Sequence, residues 1–275
     1  MTDMPPVVAS VVVPTRNSIR TIRECLLSIR AQDVAGIELI VVDNFSDDGT
    51  WAVVRELADI ALQSGPERSA QRNAGIAQSG ADWILWVDSD MVLPTDCVRV
   101  ALATAHGAGA SAVALPEVTV GAGYLSACRA LERSCYVDDE TLHNPRLMRR
   151  DLLDELDGFD ERMSGPEDTS LRHRLRAAGV DVVLAPIRVV HDEGRLTLLD
   201  VLQKRVYYGR SLRTFAQAHP GALREQGLGT LRAFWRQRRR LLADPLHALG
   251  MLGMRAAEAA AYAVGAAQGR RARQE

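Results

Sequence analysis

Hydrophobic residues alternate between two spacings along the first part of the chain. Val7–Val13 and Ile37–Val42 are unbroken apolar runs rich in β-branched residues, which is typical of strands buried on both faces of a sheet. Between them, apolar side chains recur every three or four residues from Ile19 to Ile29, as on one face of a helix. The same spacings then predict a helix that ends at Leu57, a strand at Ile60–Leu62, a helix at Arg68–Gln78 and a strand at Trp83–Val87. This alternation predicts an α/β fold with a Rossmann-like, mainly parallel sheet and helices on both faces.

The pattern changes in the second part of the chain. It predicts shorter elements: a strand at Ser111–Thr119, helices at Leu125–Tyr136, Arg149–Leu156 and Pro166–Ala178, and strands at Val182–Leu184 and Val189–Val190. After Asp200 the strand signals disappear and only helical spacing remains. We therefore expect a first domain over residues 1–200 and a helical C-terminal extension over residues 201–275.

Composition and charge exclude several classes of protein. The 275 residues are 47% hydrophobic and 25% charged, which excludes a disordered or fibrous chain. The net charge of −2 argues against a nucleic-acid-binding protein. The four cysteines lack metal-ligand spacing and fit a reduced, cytoplasmic interior. Met1–Pro6 is short and polar, so no signal peptide is expected there.

Polar residues follow the predicted strands at the points where the strands end. They are, in chain order, Thr15, Arg16, Asn17, Asp43, Asn44, Asp88 and Asp90. Ligands of open α/β sheets bind outside the carboxyl ends of the strands. We therefore expect these side chains to converge on one crevice.

Six short motifs occur in a fixed order along the chain. They are Val-Val-Pro-Thr-Arg-Asn at 12–17, Val-Val-Asp-Asn-x-Ser-x-Asp-Gly-Thr at 41–50, Arg-x-x-x-Arg-Asn-x-Gly at 68–75, Asp-Ser-Asp at 88–90, Gly-Phe-Asp-Glu at 158–161 and Glu-Asp at 167–168. Together they resemble the inverting family 2 of nucleotide-sugar glycosyltransferases over about residues 7–195. The resemblance implies the single-domain A-type fold, a divalent cation (Mn²⁺ or Mg²⁺) and a UDP-sugar as the donor.

The resemblance assigns the donor side of the site to polar residues after the strands. The residues that it implies as nucleotide contacts are Pro14, Thr15, Arg16, Asn17, Asp43, Arg68, Asn73, Asp88 and Ser89. Among these, Asp43 resembles the aspartate that accepts a hydrogen bond from the uracil N3–H. A turn residue at a strand end is the alternative for Asp43, and shaping of the local backbone is the alternative for Asn73.

A diphosphate leaving group develops negative charge, which a hard cation held by carboxylates would stabilise. The resemblance makes Asp90 the main metal ligand, with Asp88 and the later His191 beside it. Two alternatives stay open. The aspartates can simply cap the turn after a strand, and a histidine that follows a strand is as often structural as it is a ligand.

Inverting transfer requires a base that removes the proton of the acceptor hydroxyl. The resemblance gives this role to Asp168 and places Glu167 against the donor or acceptor sugar. Both residues begin a predicted helix, whose dipole favours a charged carboxylate, and capping that helix is the alternative for them. The Q-x-x-R-W motif of processive synthases is missing near Gln203–Arg210, so a single transfer is expected.

The C-terminal extension carries a basic cluster followed by a long apolar segment. Arg232–Arg240 contains five arginines interleaved with aromatic residues. Leu246–Ala267 would form a helix about 33 Å long, but Arg255 and Glu258 within it would each cost ~2.5–3.5 kcal/mol in a bilayer. A helix lying on the inner face of a membrane, with residues 229–267 at its surface, therefore explains the segment better than a helix that spans the membrane. Packing on the first domain, or on a second subunit of a homodimer, is the alternative.

The sequence thus predicts a metal-dependent enzyme that moves one sugar from a UDP-sugar to a hydroxyl acceptor. The acceptor would be lipid-linked or a small natural-product scaffold, and the protein would be cytoplasmic or peripheral on the membrane. Two other functions stay open. One is a non-catalytic protein that binds a nucleotide sugar or a partner, and the other is a nucleotidyltransferase, for which the chain lacks a basic, Gly-rich phosphate loop after the first strand.

Overall fold

The computed structural model describes residues 7–139 and 142–271. Met1–Pro6, where no signal peptide is expected, lies outside the described residues. The ten strands described are β1 (Ala9–Thr15), β2 (Ile37–Asp43), β3 (Ile60–Gln63), β4 (Trp83–Trp86), β5 (Met91–Val92), β6 (Ala112–Ala114), β7 (Glu117–Val120), β8 (Leu147–Arg149), β9 (Val183–Leu184) and β10 (Val189–Asp192). The twelve helices described are α1 (Ile22–Arg30), α2 (Thr50–Leu57), α3 (Arg68–Gln78), α4 (Cys97–Ala108), α5 (Tyr124–Ser134), α6 (Arg150–Glu155), α7 (Glu167–Ala177), α8 (Leu198–Gly209), α9 (Leu212–Ala218), α10 (Ala222–Arg236), α11 (Arg238–Ala243) and α12 (Pro245–Arg271).

Seven strands form the main sheet, in the order β3-β2-β1-β4-β8-β6-β9. Every neighbouring pair in this sheet is parallel except the two pairs that involve β8. The predicted Rossmann-like, mainly parallel sheet is therefore confirmed.

A small second sheet has the order β5-β10-β7. Its central strand β10 runs antiparallel to β5 and parallel to β7. His191 of β10 is paired with Met91 on one side and with Thr119 on the other. This pairing brings His191 beside the polar residues that follow β4.

Apolar side chains of the main sheet point alternately to two layers of helices. Val11 and Val13 of β1 belong to the core shared with α1, α2 and α4, whereas Val12 belongs to the core shared with α3, α6 and α7. The two-residue period of a strand produces this alternation, and burial of both faces explains the unbroken apolar runs in the sequence. The prediction of helices on both faces is confirmed.

Helix α3 lies close to the sheet because residue 75 is glycine. A Cβ atom on Gly75 would lie 2.5 Å from Cγ1 of Val12 and 3.2 Å from Cγ2 of Val42. Any larger residue would push the helix away from β1 and β2. The close packing allows Arg72 of the same helix to reach Asp88, which follows β4.

The structure differs from the sequence prediction in several elements. The first helix begins at Ile22 and not at Ile19, because Ile19 lies outside the core and is 46% exposed. The strand predicted over Ser111–Thr119 is two strands, β6 and β7, with Pro116 between them. Proline has no N–H to donate to a sheet, which favours an interruption there. Helix α4 and the short strands β5 and β8 were not predicted.

Helices α8–α12 form the helical C-terminal part that the sequence predicts, and they begin at Leu198. Helix α12 packs on α5 and α8 and buries Met251, Met254 and Glu258. Within residues 7–139 and 142–271, no helix combines the length and the apolar character needed to cross a membrane.

A buried ion cluster fixes α12 in place. Glu258 Oε1 accepts hydrogen bonds from Arg129 and, at 2.7 Å, from Nε of Arg205. Arg129 also donates to Glu132 at 2.7 Å. Burial opposes ionisation of Glu258, but the two arginines outweigh it and lower the pKa of its carboxyl. Arg255, three residues earlier on α12, is more distant, with Nη1 4.0 Å from Glu258 Oε2.

We predict that Glu258→Gln lowers the free energy of unfolding by about 2–3 kcal/mol, because Arg205 loses its carboxylate partner in the cluster and the buried Arg129 is left with Glu132 alone. Urea unfolding followed by tryptophan fluorescence measures this change. Glu225→Gln is the matched control, since it removes only an exposed pair with Arg176 and should change the free energy by less than about 1 kcal/mol.

The loss of unfolding free energy in Glu258→Gln should also become smaller as the pH falls. Folding lowers the pKa of Glu258, so its contribution is fully present above about pH 4.3, the value for an unfolded glutamate. The contribution is lost as the pH falls through the lower pKa of the folded state. Equal losses in the two variants at neutral pH, or a difference that grows on acidification, would contradict the prediction.

Candidate active site

Several loops meet at the carboxyl edge of the main sheet, where the sequence predicts a crevice. The structure forms a cavity of about 220 Å³ there, which we call the strand-end cavity. Eight predicted site residues line it: Pro14, Thr15, Arg16, Arg68, Asp88, Ser89, Asp90 and His191. The structure therefore brings together most of the predicted nucleotide contacts and all of the predicted metal ligands.

A larger cavity of about 450 Å³, the central cavity, adjoins the first. The residues that line both cavities are Arg68, Asp88, Asp90, His191 and Lys204. Asp168, the predicted base, lines the central cavity and not the strand-end cavity. The predicted base and the predicted metal ligands thus face one continuous space.

A fully buried arginine, Arg72 on α3, connects the predicted base to the loop after β4. Its Nη1 donates to Asp168 Oδ1 at 2.7 Å, and its Nη2 donates to Asp88 Oδ1 at 2.8 Å. Arg146 Nη2 donates to the other oxygen of Asp88 at 3.1 Å. Burial opposes ionisation of Asp88, but the surrounding arginines, Arg146 first among them, outweigh it and hold the pKa of this carboxyl well below its usual value.

His191 lies between two carboxylates. Its Nε2 is 3.3 Å from Asp90 Oδ2, and its Nδ1 is 3.0 Å from Glu117 Oε2. Burial lowers the pKa of His191, but the hydrogen bonds to Asp90 and Glu117 outweigh burial and raise it to about 10. The imidazole therefore carries a positive charge at neutral pH in this arrangement.

The residues of this site fit a divalent cation that takes most of its ligands from outside the protein. Within the described part of the chain, no group of three or more His, Cys, Asp or Glu side chains is arranged to hold a metal ion. Asp90, however, has a buried oxygen, Oδ1, without a hydrogen-bond partner. Asp90 and His191 would supply two ligands, with release of the His191 proton, and Mg²⁺ or Mn²⁺ commonly takes its other ligands from phosphates and water. Asp88 is already held by Arg72 and Arg146.

The Glu-Asp pair at the start of α7 is divided between the cavity and the interior. Asp168 lines the central cavity, whereas Glu167 is 1% exposed and lies outside the lining of both cavities. Glu167 Oε1 is 3.7 Å from Arg72 and 3.8 Å from Arg68. Burial raises the pKa of the Glu167 carboxyl. The contact between Glu167 and a sugar that the resemblance implies is therefore not open in this arrangement.

Asn17, Asp43 and Asn73, three of the predicted nucleotide contacts, also lie outside the lining of both cavities. Asp43 is fully buried at the end of β2, where it accepts hydrogen bonds from Ser46 N at 2.9 Å and from Gln63 Nε2 at 3.3 Å. Asn17 is exposed, and its side-chain oxygen accepts from a backbone N–H of the loop after β2 at 3.0 Å.

Asn73 fixes the loop that follows α6. Its Nδ2 donates to the carbonyl of Phe159 at 2.9 Å, and its Oδ1 accepts from the N–H of Phe159 at 2.8 Å. The neighbouring Gly158 has a φ of +59°, and a Cβ atom there would lie 2.6 Å from Asn73 Oδ1. These contacts match the backbone-shaping alternative for Asn73.

Several charged residues at the site were not singled out from the sequence, among them Arg72, Glu117, Arg146 and Lys204. Arg72 lies inside the Arg-x-x-x-Arg-Asn-x-Gly motif, so the motif itself was the available signal. Lys204 is the only lysine of the chain and lines both cavities. Glu117 and Arg146 come from segments without a motif, and only the fold brings them to the site.

Comparison with known sequences points to one family. Residues 10–127 match the sequence model described as "Glycosyl transferase family 2". The pre-mycofactocin glycosyltransferase of Mycobacterium tuberculosis is 27% identical over 236 residues, which cover 77% of this chain and 48% of the relative. The succinoglycan biosynthesis protein ExoA of Rhizobium meliloti is 24% identical over 223 residues, which cover 73% of this chain and 67% of the relative. The chain spans about half the length of the first of these relatives.

Two solved structures share the fold. TarS 1-349 of S. aureus in complex with UDP superimposes with a TM-score of 0.54 at 19% identity, over 74% of this chain and 64% of that chain. The mannosyltransferase PcManGT of Pyrobaculum calidifontis in complex with GDP-Man and Mn²⁺ superimposes with a TM-score of 0.58 at 20% identity, over 99% of this chain and 84% of that chain. The match to the family 2 model covers residues 10–127, less than half of the chain, and the two solved structures show that the fold is shared.

Proposed function

We propose that the chain is a metal-dependent, inverting glycosyltransferase that moves a single sugar from a UDP-sugar to a hydroxyl group of an acceptor. The observation that carries this proposal is the central cavity, which Asp168 lines together with Asp90 and His191. Inverting transfer needs a base for the acceptor and a cation at the leaving group within one space. The catalytic part would be residues 1–200 and the extension residues 201–275; α8, which begins at Leu198 and continues into the extension, contributes a wall of the cavity.

Asp168 is the proposed base. Arg72 donates to Asp168 Oδ1 and so fixes the carboxylate, and Oδ2 is the oxygen that takes the proton of the acceptor hydroxyl. The hydroxyl oxygen then attacks the anomeric carbon as the bond to the diphosphate breaks. Correct placement of the base would raise the reaction rate in two ways, by accepting the proton and by orienting the acceptor hydroxyl.

Positive charge surrounds the proposed place of the diphosphate. Arg68 and Lys204 line both cavities, and Nη2 of Arg68 donates to the hydroxyl of Tyr208 at 2.7 Å. A divalent cation held by Asp90 and His191 would add to the stabilisation of negative charge on the departing diphosphate. The phosphates would therefore lie where the two cavities join.

UDP is the proposed nucleotide. TarS has been solved with UDP, and PcManGT with GDP-Man and Mn²⁺, so folds of this kind accept nucleotide sugars with either base. Asp43 is the proposed partner of the uracil N3–H, and it lies beside Thr15 in the pairing of β2 with β1. This role requires Asp43 to exchange one of its bonds to Ser46 or Gln63 for a bond to the base.

We predict that UDP binds in the presence of Mn²⁺, and that it binds at least about tenfold more weakly, ~1.4 kcal/mol, without the metal or in Asp90→Ala. Calorimetric titration with UDP and with GDP, each with and without Mn²⁺, measures these affinities. Asp181→Ala, which removes an exposed carboxylate outside both cavities, is the control and should bind as the unaltered protein does. If neither nucleotide binds, the proposed function is wrong. Preferential binding of GDP would mean that the donor is a GDP-sugar and not a UDP-sugar.

We predict that Asp168→Asn slows release of nucleoside diphosphate from the donor by about 10²–10⁴-fold, because the base is lost. Chromatography of the released nucleotide measures the rate. Calorimetry should show a nucleotide affinity within about threefold (~0.7 kcal/mol) of that of the unaltered protein, because Asp168 does not line the strand-end cavity. Asp181→Asn is the matched control. Unchanged turnover would refute the assignment of the base, and bound nucleotide without any turnover in the unaltered protein would favour the non-catalytic alternative.

We further propose that the outer face of the C-terminal helices rests on an anionic bilayer, where a lipid-linked acceptor would be found. Large apolar side chains of α10, α11 and α12 are exposed, including Trp235 at 72%, Leu242 at 75% and Leu249 at 70%. Arg238 and Arg239 lie among them, and the guanidinium of Arg238 is 5.1 Å from the Trp235 ring. Apolar residues mixed with arginines match the boundary between acyl chains and anionic headgroups.

We predict that the protein sediments with phosphatidylcholine vesicles containing about 30% phosphatidylglycerol, and less with phosphatidylcholine alone. The double variant Leu242→Ser, Leu249→Ser should lose binding, and Arg238→Glu should remove the dependence on anionic lipid. Leu27→Ser is the matched control, because Leu27 is 48% exposed on α1, in a different part of the fold. Light scattering that shows a dimer, together with no vesicle binding, would favour a second subunit over the bilayer.

A further inference from the structure

A third cavity, which we call the side cavity, opens beside the central cavity and has a volume of about 110 Å³. It shares Glu117, Arg133, Asn144 and Arg146 with the central cavity, and no described residue with the strand-end cavity. The central cavity, with Asp168, therefore separates the side cavity from the proposed place of the nucleotide. At ~10–15 Å³ per water, the side cavity has room for several water-sized groups.

Two buried polar atoms of the shared wall have no hydrogen-bond partner. They are Nη1 of Arg146 and Oδ1 of Asn144. A buried donor or acceptor without a partner destabilises the protein, so both atoms favour a ligand that completes their bonding. One atom belongs to a donor group and the other is an acceptor. A hydroxyl group can accept from the first and donate to the second.

The charges of the shared wall are already paired within the protein. Arg146 Nη2 donates to Glu117 at 2.6 Å and to Asp88 at 3.1 Å. Arg133 donates to Glu117 at 2.9 Å and to Glu193 at 3.3 Å. An anionic ligand would have to compete with these carboxylates, whereas a neutral hydroxylated ligand needs only the two unpaired atoms.

The backbone that carries these side chains is anchored on both sides. Arg146 N donates to Val113 O at 2.8 Å, and Arg146 O accepts from Trp86 N at 3.0 Å. His143 Nε2 lies 2.8 Å and 3.1 Å from two backbone carbonyls of the turn after α5. Asn144 lies between these anchors in the chain, so its backbone is held beside the cavity while its side-chain oxygen is left without a partner.

We propose that the side cavity binds the acceptor, and that it takes a neutral polyhydroxylated group such as a pyranose ring through Arg146 Nη1 and Asn144 Oδ1. The proposal rests on the proposed function, because it assigns the acceptor side of the same site. The acceptor extends from the side cavity into the central cavity, where one of its hydroxyl groups meets Asp168.

Saturation-transfer NMR with the methyl glycosides of mannose, glucose and galactose tests this proposal, each added to protein saturated with UDP and Mn²⁺. We expect at least one glycoside to bind, and Asn144→Ala to weaken it about fivefold, as the loss of one hydrogen bond of ~1 kcal/mol implies. Gln78→Ala is the matched control, because it removes an exposed amide at the end of α3 and should retain the signal. Asn144→Leu, which nearly preserves the volume, replaces the alanine variant if that variant does not fold.

Each of the other outcomes overturns the proposal in a different way. If Asn144→Ala leaves glycoside binding unchanged, the sugar binds outside the side cavity. Loss of the glycoside when UDP is replaced by UDP-glucose shows that it occupied the position of the donor sugar. Preferential binding of methyl phosphate contradicts a neutral ligand. UDP binding without any glycoside binding overturns this proposal alone, whereas failure of both UDP and GDP to bind refutes the proposed function itself.

Discussion

The buried guanidinium of Arg72 holds together the two halves of the site. A buried charge is stable only when carboxylates surround it, and here Asp88 and Asp168 provide them at 2.8 Å and 2.7 Å. Asp88 follows a strand in the first part of the chain and Asp168 begins a helix in the second part, so one side chain sets the distance between them. Its reach depends on Gly75, which lets α3 approach Val12 of the sheet. The packing of one helix therefore determines how the proposed base, Asp168, is placed relative to Asp88.

Charges of alternating sign continue from Asp88 across both sheets. Arg146 bonds Asp88 and Glu117, Glu117 bonds His191, and His191 lies beside Asp90. Each buried charge in this chain has an opposite charge next to it, which offsets the desolvation of both. The network therefore fixes the positions of the aspartates before any ligand binds. Such preorganisation is what a site for a charged leaving group needs, because the groups need not rearrange during the reaction.

Local patterns in the sequence were enough to predict the α/β fold and one edge of the site. The end of an apolar run is visible in the sequence, so Thr15 and Asp90 were expected at the same edge of the sheet, and both line the strand-end cavity. Glu117 and Arg146 were not expected, because their part in the site comes from contacts between segments that are distant along the chain. The burial of Asp43 also comes from contacts between distant segments. Asp43 lies at the end of a strand, as the sequence predicts, but its neighbours in the fold enclose it. Helix α4 was missed because its alanine-rich sequence gives little contrast between apolar and polar positions.

A single acidic residue orients the last helix. Apolar residues lie all around α12, so hydrophobicity alone does not select the face that packs inward. Glu258 selects it, because Arg129 and Arg205 bind its carboxylate in the interior, and Met251 and Met254 turn inward on the same face. The opposite face is left with exposed leucines that nothing within the described chain covers. Because Arg129 and Arg205 also line the central cavity, the cluster that supports the cavity wall determines which apolar surface is left for the proposed bilayer.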